Sequence, residues 1–594
     1  MWPFSSPYPE IPLHRIDNTE FDYIIIGGGT AGCCLASRLS ENLHVSVLLL
    51  ERGPLADTWA SRVPLMSADI YRQGALAAIW PISPMINAHN RVVHAVIGEG
   101  LGGGSRINSI VYTRGIADYN KWKDMGHSDW GYDEVEPFFM KSETAISHRT
   151  SRFRGNIGPL LTRTFTELPF TVLKHVNEAA KSIGIPEVRD VNSPDAPIIC
   201  CANMDVAIDP KMRRHSTFRA FLPKEVAVAR NNNLKICTEA VVTRIDTELD
   251  ASSKLRATSV QFQDAKPSSP ARTYKARAKK EIILCAGAIA NPQILMLSGI
   301  GPSDHLREHS IKIAKDLPGV GSYLKDHMAL PIAFETPLDD SLHVLRRKPL
   351  RAIKELLNYL IFGCGLFVTP FLQSSIFVRS SLLNSNFEVV ISDPSQQNAR
   401  LPENIPDIEI MPIANRCIEG PSHETMDMIG VFSFLAALVK PKSSGTVRLA
   451  STDPHARAII ELGYLTDPED NLVLRKAVRF SLRLAEQVVS QGYPLKPFTV
   501  PASNSDADID EFIRQYIRTT YHYTSTCRMA PEKDPRPGVV DDELRVHGIS
   551  GLRIADTSIF PDIVATHTMA PAVMVAEKCA TYIKKSLVYE VDNA

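Results

Sequence analysis

Cysteine is scarce in this sequence, with 10 residues in 594, and no two cysteines are spaced as C-x-x-C. The sequence therefore gives no support to a zinc ribbon or a thioredoxin-type redox pair, and no metal site is expected. Neither sign of charge is in excess, because 65 Lys and Arg residues stand against 66 Asp and Glu residues. A formal net charge of −1 leaves no electrostatic footprint for nucleic-acid binding.

Long hydrophobic runs are also missing. The most apolar stretches, at 357–372 and 429–439, are shorter than the ~20 residues that a membrane span requires. The N-terminal segment lacks the basic start and apolar core of a secretory signal. The cation-rich run LRRKPLRAIK at 345–354 is interpreted as a solvated helix face. We therefore expect a soluble, cytoplasmic protein with neither a membrane nor a nucleic acid as partner.

What the sequence does contain is a glycine-rich turn between a buried strand and a helix. A short apolar run leads into Gly27-x-Gly29-x-x-Gly32, and a second apolar run, Val45–Leu50, ends at Glu51. In such a β-α-β unit the glycines permit a tight turn and close approach of a pyrophosphate, and the acid accepts hydrogen bonds from ribose hydroxyls. The pattern predicts a dinucleotide site. The acid argues against NADP, but the motif alone does not distinguish NAD from FAD.

The strand–turn–helix pattern occurs on both sides of a mixed region. Segment 279–301 has this pattern, and 519–585 returns to it. Residues 326–515 mix helices with short strands. We therefore predict an α/β fold in which a Rossmann-like domain, formed by 20–325 and 516–587, receives an inserted α+β domain.

Further motifs, in the same order, resemble the glucose–methanol–choline (GMC) oxidoreductases, a family of FAD enzymes. They are GEGLGGGSRINSIVYTRG at 98–115, GAIANPQILMLSGIGP at 287–302, and YHYTSTCRM and VVDDELRVHGISGLRIADTSIFPDIVATHTMAPAVMVAEK in the C-terminal region. The resemblance extends from about Phe21 to Lys585. It implies FAD in an elongated cleft beneath the inserted domain, which would bind substrate.

The resemblance also implies which residues contact the cofactor. The glycine turn would hold the pyrophosphate, Glu51 the adenosine ribose and the Val242 backbone the adenine. The motif at 98–115 would line the isoalloxazine, and the C-terminal motif would close over the pyrophosphate and pyrimidine ends. The implied cofactor-binding residues are Gly27, Gly29, Thr30, Ala31, Gly32, Glu51, Gly104, Ser105, Asn108, Val111, Val242, Asp556, Thr568 and Met569.

This sequence departs from the family pattern at several positions. Family members usually have Arg-Gly-Lys where this chain has Ile97, Gly98 and Glu99, so two cations are missing near the cofactor. Asn291 replaces the usual Ser or Thr. Ile107 stands where covalently flavinylated relatives carry His, so we expect non-covalent FAD.

By the same resemblance, His522 and His567 are the catalytic residues. Oxidation of an alcohol by flavin needs a base for the hydroxyl proton while hydride leaves for flavin N5, and an imidazole with an ordinary pKa of about 6.5 suits that role. His522 corresponds to the base, and His567 to the group that orients the substrate oxygen or shares the proton. Their adjacency is implied by the family and not by their spacing. His547 and Cys527 are interpreted as structural residues.

The expected activity is FAD-dependent oxidation of a primary or secondary alcohol, with O2 or another electron acceptor. If the stretch 358–378, rich in Phe, Leu and Gly, lines the pocket, the substrate is apolar or aromatic, as in a secondary-metabolite pathway; core packing is the alternative. A desaturase, a non-redox lyase and a light-driven decarboxylase remain open within the family, and the histidine pair disfavours the last. A flavin-binding protein without turnover is the alternative from another class.

Overall fold

Two large β-sheets carry most of the strands, and helices pack around both. The computed structural model describes residues 7–266, 271–417 and 429–592. Within these residues the α-helices are Thr30–Leu39, Pro64–Ser67, Ile116–Asp124, Tyr132–Ser142, Thr171–Ser182, Thr217–Phe221, Lys224–Ala229, Gly287–Leu297, Ser303–Glu308, Val344–Arg347, Pro349–Phe362, Pro468–Ser490, Asp506–Tyr516 and Met569–Asp592. None of these helices is long and apolar enough to cross a membrane.

The first sheet contains the strands predicted around the glycine turn. In spatial order its strands are Leu234–Cys237, Val47–Leu50, Thr19–Ile26, Thr273–Leu284, Leu255–Asp264 and Ala240–Leu249, with Ile549–Ser550 and Leu552–Ile554 pairing alongside. Val47–Leu50 is buried along its whole length, as is typical of a strand covered on both faces of a parallel sheet. Leu552–Ile554 pairs in parallel with Thr273–Leu284, so distant parts of the chain share this sheet.

The carboxyl ends of the parallel strands meet at one edge of the first sheet. Ile26 lies opposite Leu50 and Leu284, and Leu284 lies opposite Ile554. The residues that follow these four are Gly27, Glu51, Cys285 and Ala555. In open α/β sheets ligands bind outside this edge, so the fold itself indicates where the dinucleotide lies.

The second sheet is mostly antiparallel and lies largely within 326–515. In spatial order its strands are Lys496–Thr499, Met328–Thr336, Gly430–Leu438, Ile408–Ile413, Ser374–Val378, Cys200–Asn203 and Glu187–Val188, with Arg518–Thr519 beside Met328–Thr336. Cys200–Asn203 comes from outside the predicted insertion and satisfies backbone groups that Ser374–Val378 would otherwise present at a sheet edge. The sheet therefore extends beyond the predicted boundaries of the insertion, and those boundaries stay a prediction.

The remaining strands of the described residues form smaller, separate sets. They are Ala77–Pro81 with His94–Gly98, Ile300–Gly301 with Lys315–Asp316, Thr446–Arg448 with Ile459–Glu461, and Glu143–Ala145 with Leu160–Thr164 and Asp205–Val206. The long helix Pro468–Ser490 packs against Gly430–Leu438 of the second sheet. It begins after Asp467, whose carboxylate accepts a hydrogen bond from the backbone N–H of Glu469 at 2.9 Å. This cap satisfies a donor that has no partner inside the helix.

Candidate active site

A cavity of about 1050 Å³ runs from the carboxyl edge of the first sheet to the underside of the second sheet. The predicted residues that line it are Gly27, Gly29, Thr30, Ala31, Glu51, Gly104, Asn108, Val111, Val242, His522, Asp556, His567, Thr568 and Met569. Gly32 and Ser105 lie behind its wall. The Ser105 hydroxyl donates a hydrogen bond to Gly102 O at 2.6 Å, so this side chain supports the loop and does not face the cavity.

The glycine turn is shaped by contacts that only glycine permits. Gly27 has φ +99°, and a Cβ there would lie 2.6 Å from Cys285 O. A Cβ on Gly32 would lie 1.9 Å from Gly27 O. The helix Thr30–Leu39 begins at this turn without a side-chain cap. Its first-turn N–H groups, together with the positive end of the helix dipole, therefore form an anion-binding site at the cavity wall.

Glu51 is held rigidly at the end of its strand. Its carboxylate accepts hydrogen bonds from the backbone N–H groups of Gly28 at 2.7 Å, Gly53 at 2.7 Å and Gly100 at 3.1 Å. Burial raises the pKa of Glu51, although these three bonds oppose the increase. The carboxylate thus ties three loops together and lines the cavity beside the glycine turn.

Asn291, a departure from the family pattern, connects two parts of the cavity wall. Its side-chain carbonyl accepts a hydrogen bond from Ala286 N at 2.8 Å, and its amide donates to Asp556 Oδ2 at 2.8 Å and to Ser558 Oγ at 3.0 Å. Asp556 also accepts a hydrogen bond from Gly287 N at 2.7 Å. A serine or threonine side chain is too short to make all three bonds, so the set of hydrogen bonds that positions Asp556 depends on the asparagine.

Glu99, another departure from the family pattern, forms ion pairs in the structure. Glu99 pairs with Arg52 at 3.4 Å and with Arg457 at 3.0 Å, and all three residues line the cavity. These two arginines place cations on the wall where the family's Arg and Lys are missing. The Arg457 guanidinium also lies 4.9 Å from the ring centroid of Trp80, another lining residue.

Sequence analysis missed Arg214, which is 1% exposed. Its guanidinium donates hydrogen bonds to Ser105 O and Asn108 Oδ1, both at 2.9 Å, and to Asn108 O. Burial, together with the nearby Arg106, lowers the pKa of Arg214 to about 9. Nothing in the local sequence marks this arginine, because its partners lie more than 100 residues away in the chain.

A chain of hydrogen bonds fixes the proton position on His522. The Val564 carbonyl can only accept, so His327 donates to it through Nε2, at 3.0 Å. Burial lowers the pKa of His327 to about 3, so this ring is neutral and its Nδ1 is an acceptor. His522 Nδ1, at 2.9 Å, is therefore the donor between the two rings. In the part of the chain that the structure describes, nothing bonds to His522 Nε2, which keeps a free lone pair.

His567 has a carboxylate partner in the second sheet that sequence analysis also missed. Its Nε2 lies 3.1 Å from Glu409 Oε1, and the Glu409 side chain is 1% exposed. Burial raises the pKa of Glu409, but His567 and the Ser375 hydroxyl outweigh it and hold the pKa below its usual range. Since Glu409 accepts at Nε2, the Nδ1 atom of His567 is the one left for a substrate oxygen. The ring centroids of His522 and His567 lie 5.1 Å apart.

Asp326 anchors the segment that carries His522. Its carboxylate accepts hydrogen bonds from His522 N at 2.8 Å, Tyr464 Oη at 2.6 Å and Thr519 Oγ1 at 2.5 Å. Burial raises the pKa of Asp326 to about 6. Tyr521, immediately before His522, has φ +64°, a strained conformation for a bulky residue. The three bonds to Asp326 stabilise this turn.

The far end of the cavity is apolar with a cationic rim. Its apolar lining includes Leu342, Leu345, Phe367, Phe371, Leu372, Met411, Ile413 and Leu435, and its rim includes Arg346, Arg416 and Arg518. The stretch 358–378 is divided: Phe371 faces the cavity, whereas Ser374–Val378 is buried in the second sheet, so both sequence interpretations hold for part of it.

His547 and Cys527 lie outside the cavity lining, in agreement with their structural interpretation. His547 Nε2 donates to the Ala530 carbonyl at 2.8 Å. Cys527 is buried, and burial raises the pKa of its thiol, which keeps it protonated. Neither residue reaches the histidine pair.

Comparison with known proteins agrees with this geometry. Two family models described as GMC oxidoreductase match the chain, over residues 21–329 and 441–576. The chain belongs to the GMC oxidoreductase family. It is 34% identical over 575 residues to the oxygen-dependent choline dehydrogenase of Chromohalobacter salexigens, with 95% of each chain covered.

Solved structures show the same fold. The chain is similar to pyridoxine 4-oxidase from Mesorbium loti, with a TM-score of 0.78, 25% identity, and 95% and 99% of the two chains covered. It is also similar to an FAD-dependent oxidoreductase from Chaetomium thermophilum, with a TM-score of 0.80, 26% identity and the same coverage. GMC oxidoreductases bind FAD and act on CH–OH groups of alcohols. The predicted α/β fold, the FAD cofactor and the enzyme class are therefore confirmed.

The cavity fits FAD. The uncapped helix start suits a pyrophosphate, and the fixed Glu51 carboxylate suits a ribose diol. The histidine pair lines the same cavity, at the junction of the two sheets. The roles of individual residues remain predictions.

Proposed function

We propose that this enzyme oxidises an apolar or aromatic primary or secondary alcohol, with His522 as general base and His567 as the group that orients the substrate oxygen. One observation carries the assignment of the base: the hydrogen bonds from Val564 through His327 leave the lone pair of His522 at Nε2. Bound FAD supplies the hydride acceptor. We further propose that residues 326–515 form the substrate-binding domain and that FAD is non-covalent, since the aliphatic Ile107 lines the cavity where flavinylated relatives have His.

The residues of the chain act in a fixed order. With Nε2–H paired to the Glu409 carboxylate, His567 holds the alcohol oxygen by donating Nδ1–H, which requires both ring nitrogens to carry a proton. His522 Nε2 takes the hydroxyl proton, and the resulting positive charge is shared along the hydrogen bond to His327 Nδ1. Burial and the neighbouring imidazoles of His327 and His567 lower the pKa of His522, which keeps it neutral and ready to accept the proton. The apolar lining excludes water from this exchange.

The lining supports an apolar substrate. Phe367, Phe371 and Leu372 offer it an apolar surface, and so do Leu342, Leu345, Met411 and Leu435. The similarity to choline dehydrogenases supports oxidation of an alcohol, and the apolar lining supports the choice of an apolar one.

Anaerobic absorbance spectroscopy tests the proposal. The purified holoenzyme would be mixed without oxygen with benzyl alcohol, 1-decanol, glucose and choline in turn. We expect benzyl alcohol or decanol to bleach the oxidised-flavin band and choline to leave it unchanged, and admission of oxygen then distinguishes an oxidase from a dehydrogenase. Bleaching by choline alone would overturn the substrate assignment. Bleaching by no alcohol would favour a desaturase, a lyase or a binding protein.

A further inference from the structure

The helix Pro349–Phe362 presents its apolar side to solvent. Its exposed apolar residues, which we call the apolar helix face, are Leu350 (83% exposed), Ile353 (56%), Leu357 (49%), Leu360 (55%), Ile361 (66%) and Phe362 (73%). Spacings of three and four residues place most of them along one side of the helix. A contiguous apolar patch of this kind on a protein surface marks an interaction site.

The orientation of this helix is specified by polar contacts on its inner side. Glu355 is 3% exposed; its carboxylate accepts a hydrogen bond from Leu366 N at 2.9 Å and pairs with Arg351 at 2.7 Å. Tyr359 is also buried and lies edge-on to Trp59, which is 47% exposed. A surface helix ordinarily buries its apolar stripe and exposes its carboxylates, so the polarity of this helix is inverted.

Cations lie beside the apolar helix face. They are Arg346, Arg347, Lys348, Arg351 and Lys354, and no carboxylate interrupts 346–354. Across 339–362 these five cations stand against three carboxylates, which leaves a local net charge of +2 in a chain whose overall charge is −1. An apolar stripe with Lys and Arg at its side is typical of helices that lie in the surface of an anionic bilayer.

The helix also stands at the mouth of the cavity. The residues just before it, His343, Leu345 and Arg346, line the cavity, and so do Phe367 and Phe371 just after it. Tyr71, another lining residue, is 41% exposed. The route into the cavity therefore opens beside the apolar helix face.

We propose that the apolar helix face, with Trp59, docks the enzyme onto the surface of an anionic lipid bilayer and so brings the cavity mouth against the lipid. The occupant of this surface is then the bilayer and not a second copy of the chain. Lys348 pairs with Asp339 and Arg351 with Glu355, so it is the net charge of +2 over 339–362 that counts. Two copies paired through one self-complementary patch would bring two such positive regions together, whereas anionic headgroups attract them. The further step, that an apolar alcohol enters directly from the lipid, rests on the proposed function.

Vesicle co-sedimentation without substrate tests the docking on its own. The full-length holoenzyme would be mixed with vesicles of phosphatidylcholine alone and of phosphatidylcholine with phosphatidylglycerol. We expect stronger binding to the anionic vesicles and a decrease of about tenfold or more when Leu357→Ser is combined with Ile361→Ser, since two apolar side chains no longer leave water. Ile86→Ser with Ile157→Ser is the matched control, because both residues are exposed, at 82% and 90%, outside this face.

Lys354→Glu tests the electrostatic part of the docking. We expect it to weaken binding to the anionic vesicles and to leave binding to phosphatidylcholine alone unchanged. Equal sedimentation of wild type and the Leu357/Ile361 variant would overturn the proposal. The proposal would also be overturned if light scattering showed that the wild type is a dimer which binds no vesicles and which the Leu357/Ile361 substitutions dissociate. Bleaching of the flavin by soluble benzyl alcohol reports the proposed function separately, and we expect it to be unchanged in the variant.

Discussion

His327 Nδ1 and His522 Nδ1 lie 2.9 Å apart, with their rings at 86° to each other. Strand register holds them there. His327 immediately precedes Met328, and Met328 pairs with Thr519, three residues before His522. The same antiparallel pair of strands therefore positions both His522, the predicted base, and His327. The tautomer of His522 depends on that pairing.

The first prediction concerns His327 as a positioning residue. In His327→Ala the nearer acceptor for His522 Nδ1–H is lost and only the Thr520 hydroxyl oxygen, at 3.2 Å, remains, so the proton is held less firmly on Nδ1 and the lone pair is less firmly fixed at Nε2. We expect the rate of anaerobic flavin reduction to fall roughly 10–100-fold, as for other partners that orient a functional histidine, with little change in substrate affinity. Stopped-flow absorbance measures both quantities.

Two controls separate this role from a merely structural one. His547→Ala removes a partly buried hydrogen bond outside the cavity and should leave the rate unchanged. His327→Asn retains a side-chain acceptor and should recover part of the rate. A His327→Ala variant that reduces flavin as fast as wild type would show that the tautomer is not set by this ring.

The second prediction concerns His522 itself. His522→Ala should keep FAD and the wild-type melting temperature but reduce flavin about 10²-fold more slowly or worse, the usual cost of a lost general base. Unchanged reduction would contradict the assignment. Partial rescue by added imidazole would support it, since the small base restores only the missing group.

The third prediction concerns Glu409, the partner of His567. Glu409→Gln keeps an oxygen acceptor for His567 Nε2 but removes the charge. Because a charge-assisted hydrogen bond contributes about 1.5–3 kcal/mol, we expect flavin reduction to slow roughly 10- to 100-fold. Glu335→Gln, two strands away in the same sheet and half-buried, is the control. Equal effects of the two substitutions would assign Glu409 a structural role only.

The sequence predicted the first sheet well because its information is local. The glycine turn, the apolar strand Val47–Leu50 and Glu51 all lie within 25 residues of one another, and their spacing specifies both the elements and the ligand. Family motifs then identified His522 and His567. His327 and Glu409 were missed for a physical reason: each contacts a partner more than 150 residues away, and their local sequences show only ordinary strand patterns.

The inverted polarity of the helix Pro349–Phe362 illustrates the same limit. Its existence was predictable from the spacing of its residues, and it was interpreted as a solvated cationic face. The sequence pattern cannot tell which side of an amphipathic helix faces the protein. The hydrogen bond between Glu355 and Leu366 N decides that question, and it depends on the turn after the helix.

The fourth prediction concerns cofactor retention. In Glu51→Gln the side-chain amide nitrogen cannot accept the backbone N–H bonds that the carboxylate accepts, so the wall beside the glycine turn loosens. A charged acceptor for ribose is lost as well. We expect the dissociation constant for FAD to rise about tenfold or more. Dialysis followed by flavin fluorescence measures it. Glu99→Gln, on the same wall but engaged with Arg52 and Arg457, should change retention less; the reverse order would contradict the ribose role.

The last prediction is the pH dependence of flavin reduction. His522 accepts a proton only when neutral, and burial, together with His327 and His567, lowers its pKa below the ordinary value. The rate should therefore stay level as the pH falls from about 8 and decline only at a pH below about 6.5, the value for an ordinary histidine. Asp326, with a pKa of about 6, titrates in a neighbouring range, so Asp326→Asn distinguishes the two groups. If the midpoint of the decline persists in that variant, it belongs to the base. A wild-type midpoint at or above 6.5 would mean that the base is not held neutral by its buried neighbours.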